Sequence, residues 1–330
     1  MAKCMTDTIN LTSVADAIRT KGGTSAQLIY PSGFVSAIQA IQTGITPKLV
    51  VTTTPGAAIT ATPAEGFKVV KGTAGADGMC TLELPKAGTW HVTAMANSVS
   101  NSQNIVIGTQ NMLLPLYHDT FADNTWEEII AVCRTGIAPD SWAVGDSKTM
   151  NIGGTAYQVD IIGKNHDEYA DGSGTAPLTF QLHDCYSEAK QMYSTNLSGL
   201  GWKNTDMRLT YLPAILALMP AEVQNGIHAV NKKTSEGGNS TTIETVSDTL
   251  FLLSEVEIFG TASSSVAGEG SQYDYYKAGN PKIKKRESVD EFWWERSSAS
   301  GGMFCRVRAN GQAGASNASN SLGVSFAFCF

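Results

Sequence analysis

Residues 293–330 read WWERSSASGGMFCRVRANGQAGASNASNSLGVSFAFCF. Bulky side chains come in three groups, Trp293-Trp294, Phe304-Cys305-Arg306-Val307 and Gly323 to Phe330, and Gly, Ser, Ala and Asn fill the intervals. Small polar residues cannot build a core by themselves, so Ser298 to Met303 and Ala309 to Ser321 are expected to be exposed loops. They lie between short hydrophobic strands, and the last apolar strand pins their far end. That is how a paratope is built, with Ser, Asn and Gly supplying adaptable hydrogen bonds on a rigid frame. Trp293-Trp294 suits either a sugar-stacking platform or the frame itself, and core packing is the favoured reading.

Bulk composition narrows the class of protein. The chain has 330 residues, enough for two or three domains; 42% are hydrophobic and 16% charged, which makes it globular with few charges. The net charge of -7 argues against nucleic acid as the partner, because phosphate recognition wants a basic surface. The one basic run, Lys282 to Arg286, is flanked by acids and reads as a solvated loop. No run approaches the roughly 20 apolar residues of a spanning helix, so no membrane insertion is expected. Met1 to Asn10 lacks the apolar centre of a signal peptide, which predicts synthesis in the cytosol without classical export. The six cysteines, Cys4, Cys80, Cys133, Cys185, Cys305 and Cys329, form no CxxC pair and are expected to be free and mostly buried.

Three compositional blocks divide the rest. In residues 1–44, Val14, Ala17 and Ile18 recur at helical spacing after Thr12 or Ser13, and Lys21-Gly22-Gly23 stops the run. A second helix is expected from Ser32-Gly33, with Phe34, Ala37, Ile38 and Ile41 on one face. Both are too short to stand alone and read as an assembly segment. Residues 45–110 change to period-two alternation, as in Phe67 to Val70, Thr81 to Leu84 and Trp90 to Ala94, with turns at Asp77-Gly78 and Pro85 to Gly88. This pattern predicts a small β-sandwich spacer. Residues 111–330 form the largest block. It opens with a helix over Trp126 to Cys133, capped by Asn124 or Thr125, and continues with a hairpin of Lys148 to Ile152 and Tyr157 to Ile162 around Gly153-Gly154. A helical stretch over Asp206 to Leu218 is expected to kink or split at Pro213, and Leu250 to Ser254 reads as a buried strand.

Several of these stretches also resemble known families. Thr73 to Leu82 followed by Ala87-Gly88-Thr89-Trp90 is similar to immunoglobulin-like spacer modules of bacteria and phages. Trp293-Trp294-Glu295-Arg296-Ser297, Phe304 to Val307, Asn310-Gly311 and Gly323 to Phe328 resemble a closing pattern of the form WWLRS…FxxV…G…GVRPAF. That pattern belongs to C-terminal domains of uncharacterised function in Gram-positive bacteria and their phages, related to the C-type-lectin-like and formylglycine-generating-enzyme-like folds. Asp248 to Ser254 and Ile161 to Asp167 resemble its DKLFLLS and IIGxNHD segments, so the likeness runs from about Trp126 to Phe330. Ala15 to Thr24 with Phe34 to Ile38 resembles the start of phage tail proteins. Glu295 stands where Leu is usual, and Ser325-Phe326 where Arg-Pro is usual; these are expected to be exposed, variable positions.

The resemblance implies an α+β multidomain protein: N-terminal helices, an immunoglobulin-like sandwich and a C-type-lectin-like head over residues 111–330. It implies a non-enzymatic, phage-tail receptor-binding protein of the virion, contacting a host-surface protein or glycan and other tail proteins, with trimerisation strengthening weak contacts. Such heads can be targets of diversity-generating retroelements, which vary small and polar positions on a fixed frame. Here those positions are Ser298, Ala299, Ser300, Gly301, Gly302, Met303, Arg306, Arg308, Ala309, Gln312, Ala313, Ala315, Ser316, Ser319 and Leu322, and they form the candidate ligand-binding set. The alternative reading is a structural tail component whose C-terminal loops pack on a neighbouring virion protein.

Chemistry-bearing clusters are weaker candidates. His183-Asp184-Cys185 are sequence neighbours whose side chains diverge, and catalytic Cys/His pairs meet through the fold instead. With His166-Asp167-Glu168 and Asp171, they read as a surface turn and a buried thiol. Asp167, Glu168 and Asp171 lack the spacing of a calcium loop. Cys305 and Cys329 invite comparison with the cysteine pair of formylglycine-generating enzymes, but sit between apolar neighbours and read as small buried hydrophobes. No catalytic residue, cofactor or metal is assigned.

Overall fold

The computed structural model describes residues 8–22, 27–28, 47–64, 68–107, 110–238 and 240–330. The expected second helix from Ser32 lies outside the described residues, as does Cys4. The chain divides into two compact units, Met1–Tyr117 and His118–Phe330. It is a mixed α+β protein, mostly strands in several small sheets with a few short helices.

The first unit contains helix α1 (Thr8–Gly22), on which Ala15 and Ile18 are buried beside Leu28. Seven strands follow: β1 (Lys48–Thr52), β2 (Ala58–Pro63), β3 (Val70–Thr73), β4 (Met79–Glu83), β5 (Gly88–Ala96), β6 (Val99–Ile107) and β7 (Gln110–Leu113). They form two sheets, ordered β4-β1-β7 and β3-β2-β5-β6. Alternation decides what each strand buries. Leu49 and Val51 from β1, Cys80 and Leu82 from β4, Ile59 and Ala61 from β2, and Trp90, Val92 and Ala94 from β5 meet in one core. Strand β7 pairs in parallel with β1 from Leu49↔Gln110 to Thr52↔Leu113, so the first unit runs on to Tyr117, past the boundary expected at 110.

The second unit opens with helix α2 (Trp126–Cys133). The expected hairpin is present as β8 (Ser147–Ile152) and β9 (Thr155–Gly163). With β10 (Thr179–Leu182) and β18 (Ala327–Cys329) they form a four-stranded sheet ordered β18-β10-β9-β8. Phe121, Trp126, Phe328 and Phe330 gather around Phe180, with ring centroids 5.2–6.0 Å from it. A π-helical turn (Met207–Tyr211) runs into α3 (Leu212–Leu216), which carries Pro213 in its first turn, where its missing N–H costs nothing. Next come α4 (Ala221–Gly226), the pair β11 (Val230–Ser235) and β12 (Ile243–Asp248), α5 (Glu255–Phe259) and α6 (Asp274–Lys277).

Leu250 to Leu253 are buried as expected but form no strand, since Phe251 alone bridges, to Ala327. The basic run is not simply a solvated loop. Lys284–Arg286 is β13, paired with β14 (Val289–Glu291), and Lys284 is buried, donating to the carbonyls of Leu182 and His183. The closing stretch forms a three-stranded sheet of β15 (Trp293–Ala299), β16 (Met303–Val307) and β17 (Ala313–Asn317). Among the described residues, no helix is long and apolar enough to cross a membrane.

Candidate recognition surface

Strand β15 is buried along its whole length. Trp293 and Trp294 are core, and their ring nitrogens donate to the carbonyls of Lys282 and Lys190. One polar residue of the strand, Arg296, joins a buried ionic network. Arg296 is fully buried, ion-pairs with Glu257 and donates to the carbonyls of Leu252, Lys233 and Glu269. Glu257 also binds Lys232 (Oε1–Nζ 2.7 Å), and Lys232 reaches Asp167 at 2.6 Å and the Tyr273 hydroxyl at 3.0 Å. Burial alone would raise the Asp167 carboxyl, but Lys232 and the Thr179 hydroxyl outweigh it and hold it at about 2.

This network floors a polar cleft of about 460 Å³ lined by His166, Glu168, Asn231 and Lys233 among others. Lys232 spends its three N–H donors on Asp167, Glu257 and Tyr273, so the floor reads as a structural linchpin. Asp167 is therefore not part of a surface turn. Asp171 bonds the backbone of Ser173 instead of joining it, and among the described residues no three His, Cys, Asp or Glu side chains are grouped to hold a metal ion.

The described cysteines are free and buried. Burial pushes the Cys185 thiol up to about 12 and those of Cys133, Cys305 and Cys329 far above their usual value. Such thiols are not nucleophiles at neutral pH. Cys305 faces Glu255 and Cys329 faces Thr179 and Asp167, so the two occupy separate environments. The structure does bring together a pair that sequence order hides: His183 Nδ1 lies 2.7 Å from buried Asp160, and that bond raises the imidazole pKa.

The candidate set divides. Ser298 and Ala299 are buried in β15, with the Ser298 hydroxyl donating to the Gly238 carbonyl; their packing on both faces overturns the expected exposure. Ser316 and Leu322 are buried as well, Ser316 accepting a bond from Asn320. Glu295, Ser325 and Phe326 are fully buried, not variable exposed positions. The remaining members reach solvent at two ends of the three-stranded sheet, about 14 Å apart at about 3.4 Å per residue of β16.

At one end Ser300, Gly301, Gly302 and Met303 lie beside Ser319, whose hydroxyl donates to Asn196. Gly302 is required there: it sits at φ +78°, and a Cβ would stand 2.5 Å from the Asn196 carbonyl oxygen. At the other end are Arg306, Arg308, Ala309, Gln312 and Ala313, of which Arg308 and Gln312 are exposed; Ala315 sits mid-strand opposite Cys305. The Arg306 guanidinium stacks on Phe292 at 4.2 Å, and its Nε donates to the Ala315 carbonyl. The Arg308 amide donates to the Gln312 carbonyl, closing the turn.

No curated protein and no solved structure matches the chain. Residues 179–330, which hold both ends of this sheet and β18, match the family model DUF6273, described as a domain of unknown function.

Proposed function

We propose that the protein is a non-enzymatic recognition protein of phage-tail type, in which the second unit touches a host-surface ligand through the outer ends of β15–β17. The observation that carries this reading is the division of labour in those strands. Trp293, Phe304, Val307 and Val324 are fully buried, whereas Arg306, Arg308 and Gln312 reach solvent from the same short sheet. Outward residues on such a frame can change without disturbing the core. The raised thiols and the fully partnered Lys232 support binding over covalent chemistry.

On this reading residues 45–110 are an immunoglobulin-like spacer, α1 serves assembly, and the second unit is a C-type-lectin-like head of a virion tail. Retroelement diversification would act on the exposed members of the set, and AAC-like template codons at those positions, with a reverse transcriptase nearby, would mark it. The test is adhesion of the fluorescently labelled full chain to a panel of Gram-positive cells. Replacing Arg306, Arg308 and Gln312 by Ala together is expected to abolish adhesion at an unchanged melting temperature. Wild-type protein that adheres to no cell, or a triple variant that adheres as well as wild type, would overturn it.

A further inference from the structure

We propose that Arg306 and Arg308 form an oxyanion clamp whose ligand is an anionic cell-surface polysaccharide, held through its carboxylate or phosphate groups. This rests on the recognition reading above and names the ligand class. Arg19, Arg208, Arg286 and Arg296 each lie within ion-pair distance of a carboxylate, whereas no such pair among the described residues includes Arg134, Arg306 or Arg308, and of these three only Arg306 and Arg308 are neighbours. The two are nevertheless held close enough to repel each other: after burial, Arg308 is the cause that makes the Arg306 charge less favourable. Two like charges kept together without a counter-ion, on a chain of net charge -7, make a site that an anion would relieve.

The guanidiniums are positioned, not merely present. Arg306 is fixed on both sides, by the Phe292 ring at 4.2 Å and by its 3.2 Å bond to the Ala315 carbonyl. Arg308 lies flat across β17 because residue 314 is glycine, where a Cβ would stand 2.7 Å from the Arg308 Nε. The register brings both side chains to one place, since Arg306 faces Gly314 across the β16–β17 pair and the Arg308 Nε lies over that same glycine, and planar guanidinium groups match the two-oxygen edge of a carboxylate or phosphate. The neighbouring exposed amides of Asn310 and Gln312 suit hydroxyl groups.

The surroundings favour a polysaccharide over an acidic protein. No large exposed apolar side chain lies on β15–β17, whereas protein interfaces have an apolar centre. Ile283, 42% exposed and next to Gly311, provides a single apolar edge of sugar-ring size.

The experiment measures binding of the full chain at about 0.15 M salt, where screening removes weak long-range attraction. The probes are poly(glycerol phosphate), polygalacturonate, neutral dextran and polyglutamate. Saturable binding to one of the two anionic polysaccharides is expected, and which one separates the phosphate source from the carboxylate source. Arg308→Gln should weaken it about tenfold, the size of one lost charge-assisted contact. The Arg306→Gln/Arg308→Gln double variant should abolish it. Gly314→Ala should also weaken binding at unchanged net charge, by lifting Arg308 off the strand; Arg308→Gln, at an exposed position, controls for folding. Binding to neither polysaccharide, equal binding by the double variant, or polyglutamate binding as tight as the polysaccharides would each overturn the clamp. If wild-type protein still adheres to cells in that event, the recognition reading stands alone; if it adheres to none, both fall.

Discussion

Glu295 is fully buried, and neither of its carboxylate oxygens meets a hydrogen-bond donor. Burial, with the neighbouring Glu255 and Glu269, raises its pKa well above the usual carboxylate value. A carboxyl with a raised folded-state pKa binds its proton more tightly in the folded protein than in the unfolded chain. Stability is therefore lost progressively as pH rises above about 4.5 toward the folded-state value. Leu stands at this position in the pattern the stretch resembles, and it fills similar space without the polar cost. Glu295→Leu is expected to stabilise the protein by about 2 kcal/mol, raising the melting temperature by about 6 °C, with the gain growing between pH 5 and pH 8. A variant that melts lower than wild type across that range would show that the carboxylate is needed. Lys232 is the opposite case, because its partners Asp167 and Glu257 are both buried. Lys232→Met leaves Asp167 buried without a cation and Glu257 with Arg296 alone, and should cost about 3–5 kcal/mol by chemical denaturation.

Helix α2 shows what local sequence controls at the level of an element. Thr125 and Glu128 form a reciprocal capping box: the Glu128 amide donates to Thr125 Oγ1 at 3.2 Å and the Thr125 amide to Glu128 Oε2 at 2.8 Å. The cap orients an eight-residue helix that buries Trp126, Ile129, Ile130, Val132 and Cys133. Thr125→Ala should cost about 1 kcal/mol and lower the melting temperature by about 3 °C; no change in a thermal scan would contradict the role assigned to the cap. Elements of this kind were legible in the sequence, because caps, the Gly153-Gly154 turn and the alternation of β4 and β5 are local signals; the run ending at Val70 was not, since strand β3 only begins at that residue. Strand β15 was not. It is covered on both faces, so the period-two signature vanishes, and Glu295, Arg296, Ser297 and Ser298 look like surface residues until Glu257, Leu252 and Gly238 arrive from distant segments. Leu250 to Leu253 fail for the converse reason: their apolarity reports burial, and only pairing partners make a strand. Arg306, Arg308 and Gln312 were readable because their exposure follows from strand ends and a Gly-containing turn.

The boundary between the two units decides what a working fragment of the molecule must contain. Trp126 looks like a natural start for the C-terminal unit, since its first α-helix begins there. The chain just before it is nonetheless built in. The Asn124 side chain accepts from the His118 amide at 2.7 Å and donates to the carbonyls of His118, Thr120 and Phe121. Trp142 donates its ring N–H to the His118 carbonyl at 2.9 Å, and Phe121, 2% exposed, packs its ring against Trp142 and Phe180. Residues 118–330 are thus expected to fold alone with a single cooperative calorimetric transition. A fragment starting at Trp126 loses the Phe121 ring from the aromatic cluster around Phe180, a deletion of the kind that costs about 3–5 kcal/mol. For a unit of this size that lowers the melting temperature by about 10 °C. Equal melting of the two fragments would mean that residues 118–125 are a linker, and the aromatic cluster around Phe180 would then be closed without them.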